Sequence, residues 1–205
     1  MQGSCQIPAP VATFIYLRSL SSDLPGWNGS LINTSTIVTT PQTQIVYDGI
    51  STGGDGISII DDNAPGVEPL EGNYSVFLFG GGAPSVVSAS ISQTGLIPAG
   101  TEFLLMDAWT FNASPVVAIN GQAINMVALQ TFANYTLYGG DISSYMGDTV
   151  TLSFTDPAPA SDAPSQFLLD NVSFSTTAVP EPSSLALVVM GGLALAVRHW
   201  RGKIL

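Results

Sequence analysis

Thr149-Val150-Thr151-Leu152-Ser153-Phe154-Thr155 alternates apolar and hydroxyl side chains with a period of two, and that period decides the fold. An extended strand turns successive side chains to opposite faces. Val150, Leu152 and Phe154 therefore share one face, and Thr151, Ser153 and Thr155 the other. One face is expected in a core and the hydroxyl face in water. The pattern recurs upstream, where Val87, Ala89 and Ile91 alternate with Ser88, Ser90 and Ser92. Gly and Pro punctuate the chain throughout, and Thr, Ser, Val and Ile fill the intervals. This predicts strands over 11–17, 35–40, 44–48, 56–60, 74–79, 86–94, 102–111, 115–120, 123–127, 135–138, 149–155 and 167–175. Nothing before Pro182 reads as a helix, so the expected architecture is an all-β sandwich.

Charge is divided sharply along the 205 residues. Arg198, Arg201 and Lys203 lie at the C-terminal end, leaving Arg18 as the lone cation against 14 acids before Pro180, a balance of −13. Such a surface argues against nucleic acid or an anionic membrane as partner. It also leaves the acids almost no cations to pair with, so they are expected to be solvated or metal-bound. Cys5 is the only cysteine, which excludes an intrachain disulfide and thiolate zinc sites. His199 is the only histidine and sits in the tail, so the domain can build no Ser-His-Asp triad, Cys-His dyad or His-ligated metal centre.

The C-terminus has three parts in order: Val179-Pro180-Glu181-Pro182-Ser183-Ser184, an apolar or glycine run over 185–197, and Arg198-His199-Trp200-Arg201-Gly202-Lys203. The run of 13 residues would be about 20 Å long as a helix, against about 30 Å of bilayer hydrocarbon. Counting from Ser183 to Trp200 gives 18 residues, enough to span with Trp200 at the interface. The basic cluster would stay cytoplasmic and place the domain on the far side. This tail resembles the PEP-CTERM sorting signal of Gram-negative bacteria, with Pro180-Glu181-Pro182 as its tripeptide. The resemblance implies recognition by an exosortase-type membrane protease and passage through the inner membrane. Delivery to the cell surface or an exopolysaccharide matrix would follow. The alternative is a plain C-terminal anchor that is never cut. Export needs a leader, and residues 1–20 contain Pro8 and Pro10 with no Lys or Arg before Arg18. A signal peptide is therefore expected upstream of Met1.

A second resemblance lies in the back half. Tyr135-Thr136-Leu137-Tyr138, Asp141-Ile142-Ser143, Tyr145, Gly147, the 150–154 strand and Leu169-Asp170-Asn171-Val172 occur in this order. They are similar to the closing half of galactose-binding-like jelly rolls, which include many carbohydrate-binding modules. Gln2-Gly3-Ser4-Cys5 and Leu24-Pro25-Gly26-Trp27 resemble the family's opening segments. The resemblance implies a jelly-roll-like β-sandwich over 1–175, a linker with the Pro-Glu-Pro motif over 176–182, and one transmembrane sorting helix with a basic end over 183–205.

Asp170 shares a strand face with Leu168, Val172 and Phe174 and so is expected to point toward the core. A buried carboxylate costs several kcal/mol unless it is paired, hydrogen-bonded or metal-bound. Three readings stay open: a calcium site, as the jelly-roll resemblance implies with Gln6 replacing a family Glu; acceptance of backbone N–H bonds; or a bulge that breaks the alternation. Asp55, Asp61, Asp62 and Asn63, with Glu68 and Glu71 nearby, have the oxygen-only chemistry that suits calcium but match no EF-hand spacing, and they read as a solvated turn cluster with calcium as the alternative. Trp27, Tyr47, Tyr74 and Tyr145 are the candidate aromatic platforms for glycan, whereas Trp109 is expected in the core. Asp107, flanked on one strand face by Phe103, Leu105, Trp109 and Phe111, is the only carboxylate in an apolar setting fit for a two-carboxylate glycoside hydrolase. The reading that follows is an exported, non-enzymatic surface or matrix protein with no required cofactor. A glycan-binding module for exopolysaccharide is the alternative and a hydrolase the lesser one.

Overall fold

A computed structural model describes residues 26–33, 38–42, 56–64, 66–81, 87–159 and 163–177. These form twelve strands: β1 (Asn28–Asn33), β2 (Val38–Gln42), β3 (Gly56–Ile60), β4 (Ser75–Gly80), β5 (Val87–Leu96), β6 (Phe103–Phe111), β7 (Val116–Ile119), β8 (Gln122–Ala123), β9 (Val127–Thr131), β10 (Thr136–Asp141), β11 (Thr149–Asp156) and β12 (Ser165–Ser175). A single 3-10 turn, Ser143–Tyr145, is the only helical element among the described residues. Among these residues no helix is long and apolar enough to cross a membrane. The expected strands over 11–17 and 44–48, the sorting motif and the C-terminal helix lie outside the described residues.

The strands make two six-stranded antiparallel sheets, a β-sandwich. The first runs β2-β1-β5-β11-β7-β8 and the second β3-β4-β12-β6-β10-β9. Val150, Leu152 and Phe154 of β11 are buried against Ala89 and Ile91 of β5 and against Leu104, Met106, Phe167 and Leu169 of the facing sheet. The hydroxyl face is less wet than the alternation predicts. Ser90 Oγ lies 2.8 Å from Thr155 Oγ1, Thr94 Oγ1 lies 2.8 Å from Thr151 Oγ1, and Ser90 donates to the Phe154 carbonyl. Hydroxyls placed opposite one another on neighbouring strands exchange hydrogen bonds and stiffen the pair.

Strand β1 is absent from the sequence expectation, because Asn28-Gly29-Ser30 has the composition of a turn. It is held as a strand by pairing with β2 on one side and β5 on the other. The expected strand over 123–127 divides instead. Gln122 and Ala123 fold back onto β7 through Asn120 and Gly121, both at positive φ, and β9 begins only at Val127. A type I′-like turn of this kind suits Asn-Gly.

A second apolar cluster lies on the outer face of the second sheet. Phe77 and Leu168 point away from the inter-sheet core and are covered by Ala64 and Leu70 from the β3–β4 connection. The connection is pinned at its start by an Asx turn, in which the Asn63 backbone N–H donates to Asp61 Oδ1 at 2.9 Å and Asn63 Nδ2 to Oδ2. This covered outer face is where the candidate site forms.

Candidate functional site

Antiparallel register places the outward side chains of the second sheet in rows. Phe79, Gln166 and Phe111 form one row across β4, β12 and β6, and Phe77, Leu168 and Trp109 the next. Asp170 and Asp107 are paired in the third row. Side chains directly opposite on neighbouring strands share a face and approach closely. Two carboxylates therefore sit side by side, 6% and 2% exposed for Asp107 and Asp170, with no Lys, Arg or His among the described residues.

Hydrogen-bond donors take the place of cations. Ser75 Oγ donates to Asp170 Oδ2 at 2.9 Å and accepts the Leu70 N–H at 2.9 Å. The Asn171 backbone N–H donates to Asp170 Oδ1 at 2.7 Å, and the Glu71 N–H adds a further bond. Asn171 Nδ2 donates both to Glu71 and to Asp107 Oδ2 at 2.9 Å. Burial still dominates and pushes Asp170 up to about 6, with the Asp107 charge adding to it and the hydrogen bonds opposing. Burial also raises Asp107, against its bond from Asn171 and together with the Glu71 charge.

Of the three readings of Asp170, the structure combines two. Asn171 has a φ of 48°, and the β6–β12 register shifts between Asp170 and Ser173. Asn tolerates this left-handed conformation. The bulge sends Val172 into the inter-sheet core while Asp170 stays on the outer face with Leu168. Asp170 is thus not on the face of Val172, and it accepts backbone N–H bonds. The described residues do not fit the third reading, a calcium site. Both carboxylate oxygens are occupied by N–H or O–H donors, and among the described residues no group of three or more acidic, His or Cys side chains could hold a metal. Gln6 lies outside the described residues.

The aromatic expectations are redistributed. Trp27 is 5% exposed and packs its ring 5.8 Å from Phe154, so it belongs to the inter-sheet core and offers no open face. Tyr74 is half-buried against the same core. Tyr145 is half-buried in the 3-10 turn, donates to Gln122 Oε1 at 3.3 Å and lines a separate cleft with Phe103 and Asp141. Tyr47 lies outside the described residues. Trp109, expected in the core, is 37% exposed and Phe111 49%. The expectation failed because β6 has two apolar faces, and only the inner one (Leu104, Met106, Ala108) reaches the core.

Trp109 lines an open cleft of about 550 Å³ with Asp62, Val67, Glu68, Asn134 and Leu168. One wall is the β3–β4 connection, fastened to the β9–β10 hairpin by Asn134 Nδ2 donating to the Leu70 carbonyl at 2.7 Å. Phe132 stacks on Tyr135 at 4.6 Å beside that hairpin. Tyr135 is raised by burial and by the Asp107 and Glu71 charges. Sequence reasoning grouped Asp62 with Glu68 in one acidic loop but brought neither Trp109 nor Asn134 to them. The shared face of Asp107, Trp109 and Phe111 was legible, but not that it points outward.

A third buried acid stands elsewhere. Asp156 ends β11 in the first sheet and is fully buried. Its Oδ2 accepts the Gly80 N–H of β4 at 3.1 Å and the Ser165 hydroxyl of β12 at 2.9 Å, so one carboxylate ties the two sheets together. Its Oδ1 has no hydrogen-bond partner among the described residues. Burial pushes Asp156 up to about 6. Gly80 is needed there, because a Cβ would collide with the Ser165 hydroxyl.

These features define an acidic, all-β sandwich that stabilises its buried carboxylates with hydroxyl and amide donors. Residues 178–201 match the PEP-CTERM protein-sorting motif, so the chain carries that sorting signal. Similar solved structures include TmCBM61 in complex with β-1,4-galactotriose, at 13% identity and a TM-score of 0.40, covering 58% of this chain and 81% of that one. The enzymatically active domain of bacteriophage CBA120 tailspike protein 4 is similar at 15% identity and a TM-score of 0.42, covering 78% of this chain and 21% of that one. An apo-form cyclase from Fischerella sp. is similar at 16% identity and a TM-score of 0.35, covering 82% and 89%. No curated protein matches the chain.

Proposed function

We propose that this protein is exported, processed by an exosortase-type membrane protease and delivered to the cell surface or extracellular matrix, where its jelly-roll-like sandwich acts without catalysis. The match of residues 178–201 to the sorting motif carries this reading. In it, Pro180-Glu181-Pro182 is the recognised element. The apolar run over 185–197 holds that element in the inner membrane as a helix, and Arg198, Arg201 and Lys203 stop transfer. Replacing Pro180, Glu181 and Pro182 by alanine is expected to leave an unprocessed, membrane-retained protein. Fractionation that finds the variant released like the wild type would refute the sorting role.

The non-enzymatic reading is supported by the state of the carboxylate pair that faces across β6 and β12. Asp107 and Asp170 are both buried, and Asn171 and Ser75 already occupy them with hydrogen bonds. A second reading, glycan recognition, is favoured by the Trp109 cleft. An exposed indole beside carboxylates is the combination that stacks a pyranose ring and accepts from its hydroxyls.

A further inference from the structure

We infer that the Trp109 cleft selects a cationic glycan, a polysaccharide of amino sugars with free ammonium groups, an inference that rests on the glycan-recognition reading. The charged groups of the cleft are all of one sign. Asp62 and Glu68 line it as exposed carboxylates, which only accept hydrogen bonds. One of the two amide N–H groups of Asn134 is already committed to the Leu70 carbonyl. Among the described residues no Lys, Arg or His stands at the cleft to receive a uronate or sulfate. An anionic polymer is repelled by this wall, and a neutral one can satisfy it only through its hydroxyls. An ammonium sugar brings charge and donors together.

The aromatic floor fits the same ligand. Trp109 is 37% exposed, and Phe111, two residues along the same strand face, is 49% exposed. A sugar ring can stack on the indole, and a neighbouring ammonium gains from the ring's negative face. Glu71 extends the acidic wall beyond the cleft, beside Asp107 and Asn171. Charge complementarity and aromatic stacking therefore converge on one strip of the second sheet's outer face.

Titration calorimetry of the full chain in a non-ionic detergent tests this with three probes of equal length: a glucosamine hexamer, its fully N-acetylated form and a hexuronate. The free-amine hexamer is expected to bind about five- to tenfold tighter than the acetylated one, the yield of two exposed charge pairs, and the hexuronate not at all. Trp109→Ala should abolish binding. Asp62→Asn with Glu68→Gln should bring the free amine down to the acetylated level, with unchanged melting curves in both variants. Equal binding of the amine and acetyl forms would overturn the charge selection and leave glycan recognition standing. Binding of no probe would overturn both. Polylysine binding that rivals the hexamer and survives Trp109→Ala would overturn the proposal in favour of a basic peptide.

Discussion

Replacing Asp156 by Asn should remove much of a pH dependence that the junction between the sheets builds into the fold. Asp156 is held at about 6 in the folded protein against 3.8 as the ordinary value. The folded state therefore binds the proton more tightly than the unfolded one, and the associated stability is fully present below 3.8 and lost as pH rises through about 6. A shift of about two units corresponds to about 3 kcal/mol, of which about 2 kcal/mol falls between pH of about 4.5 and 7.5. Asn keeps an oxygen for the Gly80 N–H and the Ser165 hydroxyl, and it cannot ionise. Its NH₂ takes the place of the oxygen that lacks a partner. The amide thus has its own desolvation cost, but one that does not vary with pH. The variant's stability relative to wild type should rise by about 2 kcal/mol across that interval, or about 4–8 °C in Tm. Thermal melts followed by near-ultraviolet circular dichroism at fixed ionic strength measure it. Parallel pH profiles for the two proteins would refute the argument, because they would mean that Asp156 is not the buried acid that titrates.

The wild-type domain as a whole should be more stable at mildly acidic than at neutral pH, since burial also raises Asp170 and Asp107. A melting temperature that falls on acidification from pH of about 7 to 5 would contradict this. Ser75→Ala removes a donor to Asp170 and orphans the Leu70 N–H. It should cost about 1–3 kcal/mol, more at neutral than at acidic pH, as urea titrations at two pH values would register. Trp27→Ala should cost about 3–5 kcal/mol by emptying a core site, and Trp109→Ala no more than about 0.5 kcal/mol at the surface. Equal losses in the same denaturation assay would put both indoles in one environment and undo the assignment.

How much of this was legible in the sequence differs from element to element. The β11 alternation gave its own strand and its core face correctly, because a period of two has one geometric meaning wherever it occurs. β1 was hidden, because Asn28-Gly29-Ser30 reads as a turn locally and is made a strand only by neighbours on both sides. The face of Asp170 was misplaced for a related reason. A strand pattern carries parity forward, and one residue in the left-handed region at Asn171 reverses it without any change in composition. The two indoles changed places because apolar neighbours predict burial only when the face they share is covered, and the β3–β4 connection covers Phe77 and Leu168 but leaves Trp109 at a cleft.

The sequence by itself determined the all-β class, the lack of histidine before the tail and of any thiolate zinc site, the acidic balance and the sorting signal at 178–201. Each of these follows from composition, short period or contiguous residues, so none depends on distant parts of the chain meeting. Tertiary structure alone decided how an acidic domain with a single arginine keeps three carboxylates buried. Beside the neighbouring Asn171 N–H, the donors to Asp170 come from Ser75 and Glu71, about a hundred residues away. Those to Asp156 come from Gly80 and Ser165, on the opposite sheet. A carboxylate's solvation is set by whatever folding brings against it, and that is written in the register of the sheets rather than in the residues beside it.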